Sequence, residues 1–210
     1  MNNRLRIPLH APAEHQQKLI ALQEAFAQVC NWLAPLVQQT RCWNRVALHH
    51  MTYRQLRARF PDLGSQMICN AIYSVSRTSR HIYQHPKSPF NVAKLGDQPL
   101  PQLWFRPNNP VYFDRHTLSI RSGQLSMYTL EGRLQFRLEV PAAIEQRFRE
   151  ERLREIVLMR PANDFVLDFR FGDGDDEVES PENLPEYVVV TDSLALPPPS
   201  PQATAMVANP

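Results

Sequence analysis

Residues Val111 to Val140, VYFDRHTLSIRSGQLSMYTLEGRLQFRLEV, hold three short strand-like segments separated by Asp114-Arg115, Ser122-Gly123 and Glu131-Gly132. From Arg133 to Val140 the alternation is unbroken, with Leu134, Phe136, Leu138 and Val140 on one side and Arg133, Gln135, Arg137 and Glu139 on the other. A period of two presses one face against a core and leaves the other wet. Leu118 and Ile120 alternate in the same way with Thr117, Ser119 and Arg121, and Glu131-Gly132 has the chemistry of a two-residue hairpin turn. The stretch therefore predicts a curved antiparallel sheet with an arginine-bearing outer face.

Upstream, Arg4 to Leu9 alternates as well, and Pro8 makes it an edge strand that must pair with something much later. Ala13 to Gln38 is the strongest helical segment, with Leu19, Leu22, Phe26, Val29, Leu33 and Leu36 on one stripe and a kink expected at Pro35. A second helix is predicted from Thr52, as its N-cap, to Pro61. A third is predicted from Ser65, with Ile68, Ile72, Val75 and Ile82 in the core and Tyr73, Arg77 and Arg80 on another face. Six prolines between Pro86 and Pro110 mark a linker or long loop around a short strand at Leu103 to Phe105. Downstream, Ala142 to Arg154 reads as a helix, and Ile156 to Met159 forms a hairpin with Phe165 to Phe171. The order predicts an α+β fold: a small antiparallel β-barrel interrupted by a helical domain. The expected divisions are 1–11 (first barrel strand), 12–86 (helices), 87–110 (linker), 111–172 (remaining barrel) and 173–210 (an acidic, Pro-rich, compositionally disordered tail).

Charge is divided unevenly along the chain. All 23 Lys and Arg lie at or before Arg170, against 13 Asp and Glu up to residue 172, a net +10; residues 173–210 carry 8 acids and no Lys or Arg, a net −8. Of the cationic residues 20 are arginine, whose flat fork suits phosphate and stacks on bases, although a GC-rich genome also favours its codons. No apolar run reaches the length of a membrane span and no secretory leader is visible. The three cysteines are scattered without a Cys-x-x-Cys pair, so a reducing cytoplasm is expected, with nucleoid association when DNA is bound.

Tyr53, Leu56, Phe60-Pro61, Leu63, Ser65-Gln66 and Asn70, followed by Tyr128-Thr129-Leu130-x-Gly132-Arg133 and Phe165-x-Leu167, resemble the N-terminal half of the TnpB proteins of insertion-sequence transposons and of the related type V CRISPR effectors. The resemblance spans residues 3 to 171. It implies that the strands form a wedge-like barrel and the inserted helices a recognition domain. It further implies binding of a structured guide-type RNA and of double-stranded DNA at a short adjacent motif. Tyr53, Ser65, Gln66 and Asn70 match the family's DNA-contacting positions, and Arg77 and Arg80 would track phosphates; Thr129, Gly132 and Arg133 match the family's wedge-domain hairpin, with Gly132 serving the turn, and Arg121, Arg133 and Arg137 would line its RNA-facing surface. Gln and Asn can bond adenine through two hydrogen bonds, and a helix start favours phosphate. Ser65 is equally a plain helix N-cap, Tyr53 equally a core residue, Gln66 and Asn70 equally solvated or intradomain polar residues, and Arg77 and Arg80 equally part of a solvated face.

Glu186 to Asp192 resembles the beginning of the family's first nuclease strand, with only 18 residues after it. A lone aspartate is not a two-metal site. The expectation is therefore a nuclease-lacking binder, not an enzyme, with no cofactor and no metal, working alone or with a separate nuclease subunit. His81 and His85 lack the Glu of a metalloprotease motif, and no glycine loop for phosphate is present. Two rival readings stand beside it: a protein-interaction module acting through Pro197 to Pro201, and a decayed transposon-gene fragment.

Overall fold

Strand β1 (Arg4–Pro8) finds its partner at the far end of the fold, where Arg4 pairs with Arg170 and Pro8 with Val166. The computed structural model describes residues 4–121, 123–138, 146–148, 150–172 and 184–191. The expected disordered tail, except 184–191, lies outside them, as do 142–145 and 149 of the expected helix at 142–154; 146–148 and 150 are helical.

After β1 come helices α1 (Ala13–Thr40), α2 (Arg45–Arg59), α3 (Ser65–Gln84) and the single turn α4 (Val92–Leu95). Strands β2 (Gln102–Phe105), β3 (Val111–Phe113), β4 (Leu118–Arg121), β5 (Gln124–Thr129), β6 (Gly132–Arg137), β7 (Leu153–Met159), β8 (Val166–Phe171) and β9 (Val188–Thr191) follow. The fold is α+β with antiparallel sheets. Among the described residues no closed barrel is found: the ladders are β1-β8-β7-β3, β4-β5-β6 and the two-stranded β2-β9. No described helix is long and apolar enough to cross a membrane.

Several boundaries differ from expectation. Helix α2 begins seven residues before Thr52, because Asn44 Oδ1 accepts the N–H groups of Val46 and Ala47, and Thr52 is buried with its hydroxyl on Leu48 O. Gly64, not Ser65, is the N-cap of α3. Helix α1 runs through Pro35, and its buried stripe passes from Leu33 to Val37 with Leu36 only half-buried. Leu153 and Arg154 belong to strand β7 instead of a helix. The β5–β6 turn is Leu130-Glu131, and Gly132, at φ 111°, opens β6 opposite Thr129, a conformation that glycine adopts at no steric cost.

The proline-rich segment is a long loop around the expected short strand, here β2, and it packs on helix α1. Helix α1 holds it with a row of amides: Asn31 clamps Phe105 through both its N–H (2.7 Å) and its C=O (2.8 Å), Gln38 Nε2 donates to Leu100 O at 2.7 Å, and Gln23 reaches the carbonyls of Asn108 and Asn109. These bonds satisfy backbone groups that the segment's own turns and the β2–β9 ladder leave over.

Two carboxylates sit on one interior face of the four-stranded sheet. Asp168, fully buried, takes Arg4 Nη2 at 2.5 Å and has Arg170 Nε at 3.7 Å. Glu155, its side chain 5% exposed, takes Arg77 Nη1 from α3 at 2.7 Å, Arg170 Nη1 at 2.9 Å and the Tyr73 hydroxyl at 2.6 Å. The opposite face is apolar, with Leu167, Phe169 and Phe171 buried and the Phe148 ring edge-on to Phe169 and Phe171. Removing one member of such a buried pair strands the others in low dielectric, typically at ~3–5 kcal/mol. Glu155→Ala is expected to lower the free energy of unfolding by about that amount, measured by urea denaturation; a change below ~1 kcal/mol would mean that the network is screened like a surface pair.

Candidate nucleic-acid interface

Helix α2, RVALHHMTYRQLRAR, holds four arginines, two histidines and no acid. Its buried side chains are Leu48, Thr52 and Leu56, one narrow stripe that rests on the rest of the fold, so most of its circumference faces outward. On that outer side Tyr53 stacks on His49 with ring centroids 4.7 Å apart and planes at 21°, half-buried against the core edge. Two of the arginines have local duties: Arg45 lies over the Tyr73 ring at 5.1 Å, and Arg57 Nη1 donates to Leu63 O at 2.6 Å. Arg54 and Arg59 are exposed and without a hydrogen bond or ion pair among the described residues.

The predicted contacts on α3 are divided by the fold. Ser65 is exposed in the first turn. Gln66 donates its amide to the Asp114 carboxylate, which also caps the turn to Thr117. Asn70 is 6% exposed, its amide 4.0 Å from Met67 Sδ, and is not open to a ligand in this conformation. Tyr73 and Arg77, four residues apart, converge on Glu155. Arg80 alone of the pair of predicted phosphate-tracking arginines points to solvent, beside Arg41 and Trp43.

From Arg133 to Leu138, along β6, the expected alternation holds, with Leu134, Phe136 and Leu138 buried and Arg133, Gln135 and Arg137 exposed; around β4 it does not, since Thr117 is buried with Leu118 while Ile120 is only half-buried. Leu125 and Met127 of β5 are buried as well. Gln124 lies between Arg121 of β4 and Arg137 of β6 by register. Both arginines are exposed and unpaired among the described residues. Arg133 is exposed but committed, since it donates to Ser126 Oγ, Ser126 O and His116 O and so braces its own hairpin. Thr129 is 1% exposed and bonds Gly132 O, a turn role that leaves no free hydroxyl.

Tyr128 joins this sheet to the helices. Its hydroxyl accepts the Gly64 N–H at 2.8 Å and donates to Asp62 O at 3.1 Å. The start of α3 is thus occupied by a side chain of the protein, where the sequence suggested phosphate. Arg54, Arg59 and Gln124 are missed by sequence reading, although the acid-free composition of α2 was available as a signal. Among the described residues no group of three His, Cys, Asp or Glu is placed to hold a metal, and all three cysteines are free. No protein-family model and no curated protein matches the chain.

Burial raises the pKa of Tyr73, assisted by the neighbouring Glu155 carboxylate, and burial likewise pushes Tyr112 well up. Both phenols stay neutral to higher pH in the fold than in the unfolded chain. Their contribution to stability is therefore complete below about pH 10 and is lost as pH rises beyond it. Tyr73→Phe should flatten that alkaline loss, read from urea midpoints between about pH 8 and about pH 11. A Cβ at Gly64 would lie 3.3 Å from the Tyr128 hydroxyl, tighter than ordinary contact. Tyr128→Phe, which removes two hydrogen bonds, is expected to cost about 1–3 kcal/mol, and Gly64→Ala to lower the unfolding midpoint in the same direction.

Proposed function

We propose that the chain is a nucleic-acid-binding protein whose ligand is a structured RNA, held by the outer face of α2 and by the open face of β4–β6. The observation that carries the reading is α2 itself: four arginines and no acid on a helix that buries only three side chains. Arg45 and Arg57 serve the fold, but the exposed Arg54 and Arg59 make no hydrogen bond or ion pair among the described residues, so the fold gains little from their charge. Phosphates would neutralise it, releasing counterions and making affinity steeply salt-dependent. The Arg121–Gln124–Arg137 row adds a second basic strip, with hydrogen-bonding groups between the charges.

The resemblance to TnpB-like proteins supplies the guide-type RNA and, as further partners, duplex DNA at a short motif and a separate nuclease. Ser65 and Arg80 are the predicted DNA contacts that remain exposed. Tyr53, on α2, is a partly exposed ring suited to stacking.

The test uses the full chain expressed with its flanking DNA, any bound RNA being sequenced and then titrated back. Arg54→Ala combined with Arg59→Ala should weaken binding at least tenfold and reduce the slope of log affinity against log salt by roughly 1.4–1.8, two phosphate contacts on unpaired or paired strands. Arg106→Ala, exposed but outside both surfaces, serves as the control. Equal affinity in the double variant and the control would exclude α2 as the contact surface.

A further inference from the structure

Where α1 ends and α2 begins, the chain leaves a depression of about 630 Å³ lined by Arg41, Cys42, Trp43, Asn44, Arg80 and Gln84. That volume lies within the roughly 300–1,000 Å³ of small-molecule clefts. No carboxylate is among the lining residues, and two are arginines. We propose that this depression binds one unpaired nucleotide of a nucleic-acid strand, the base stacked on Trp43 and the phosphate on Arg80. The source of the nucleotide rests on the nucleic-acid reading above; the chemistry of the pocket stands on its own residues.

The rim is held in place. Arg41, the left-handed C-cap of α1, fixes its guanidinium on Gly96 O at 3.0 Å and Gln98 O at 2.6 Å. Trp43 is half-buried, tilted on the Tyr83 ring at 5.7 Å, and its carbonyl accepts the Ser76 hydroxyl at 2.6 Å. Its indole N–H donates to Gln84 Oε1 at 3.3 Å, which orients that amide. The Asn44 side-chain oxygen is engaged by the Val46 and Ala47 N–H groups.

With both amide oxygens in use, the groups left to a ligand are donors: the Asn44 and Gln84 amide N–H groups and the Arg80 guanidinium, which has no partner among the described residues. Such a set takes an acceptor-rich ligand with a flat ring. A phosphate answers Arg80, base carbonyls such as those of uracil or guanine answer the amides, and the ring answers Trp43. Arg80 belongs to the set predicted to track phosphates from the sequence. Trp43, Asn44 and Gln84 were not singled out there.

The test titrates the full chain with UMP, GMP, uridine and inorganic phosphate, following the indole N–H signals by NMR. Saturable shifts of the Trp43 signal with UMP or GMP, and at least fivefold weaker binding of uridine and of phosphate, are expected. Arg80→Ala, an exposed substitution that should not disturb folding, should weaken UMP at least fivefold; Trp43→Phe should retain binding and Trp43→Leu should lose it. Phosphate binding as tightly as UMP, an unchanged affinity in Arg80→Ala, or no saturation with either nucleotide to about 5 mM each overturns the site. The RNA titration runs in parallel: RNA binding without nucleotide binding overturns the pocket and leaves the nucleic-acid reading standing. Nucleotide binding without RNA binding does the reverse.

Discussion

Two buried carboxylates, Glu155 and Asp168, govern how this chain is put together. They project from neighbouring strands onto the sheet face that also carries Arg4 and Arg170, and Glu155 takes Arg77 and Tyr73 from helix α3. The other face of that sheet is lined with Phe169, Phe171 and Leu167. A greasy face accepts any apolar helix stripe of suitable volume, whereas an ionic face accepts only the partner that completes it. Arg77 and Tyr73 therefore specify which side of α3 meets the sheet. Net stability from such pairs is modest, so their main physical effect is on orientation.

That orientation passes outward. Helix α2 has three buried side chains of its own, and Arg45 over Tyr73 links it to the residue that holds Glu155. At its other end the loop after α2 receives the Tyr128 hydroxyl from the three-stranded sheet. The arginines split into two populations: those consumed inside, such as Arg77 and Arg170, and those left outside with no described partner, such as Arg54, Arg59, Arg121 and Arg137. The surplus of cations over acids up to residue 172 is thus expressed on the surface.

Much of this was legible in advance where a single period dominates. The alternation in β6, the Phe165 to Phe171 face and the lateness of the partner of β1 all follow from backbone geometry. Boundaries set by one capping side chain were less visible: Thr52 looks like a cap, yet Asn44 has both free N–H groups within reach and takes the role. The proline-rich segment reads as linker or long loop and its short strand is present as β2, but what anchors it was hidden, because its hydrogen-bond partners are side chains on α1, about 60 to 90 residues away, which no local pattern reveals. Of the candidate site residues, spacing alone could not separate Arg80 from Arg77; only the presence of Glu155 under one of them does. Asn70 and Thr129 failed to present themselves outward for a similar reason, since polarity does not dictate exposure when a neighbour completes the bonding.

The pairing of β1 with β8 also has a consequence in time. Arg4 and Asp168 are 164 positions apart, so the ribosome must deliver β8 before β1 has anything to join. At about 5–20 residues per second that interval is roughly 8–30 s, far longer than a helix or hairpin needs to form. Throughout it β1 is an unpaired edge carrying Leu5 and Ile7. Arg4, Arg6 and Pro8 share that edge, two charges and a missing donor that discourage its capture by another nascent chain.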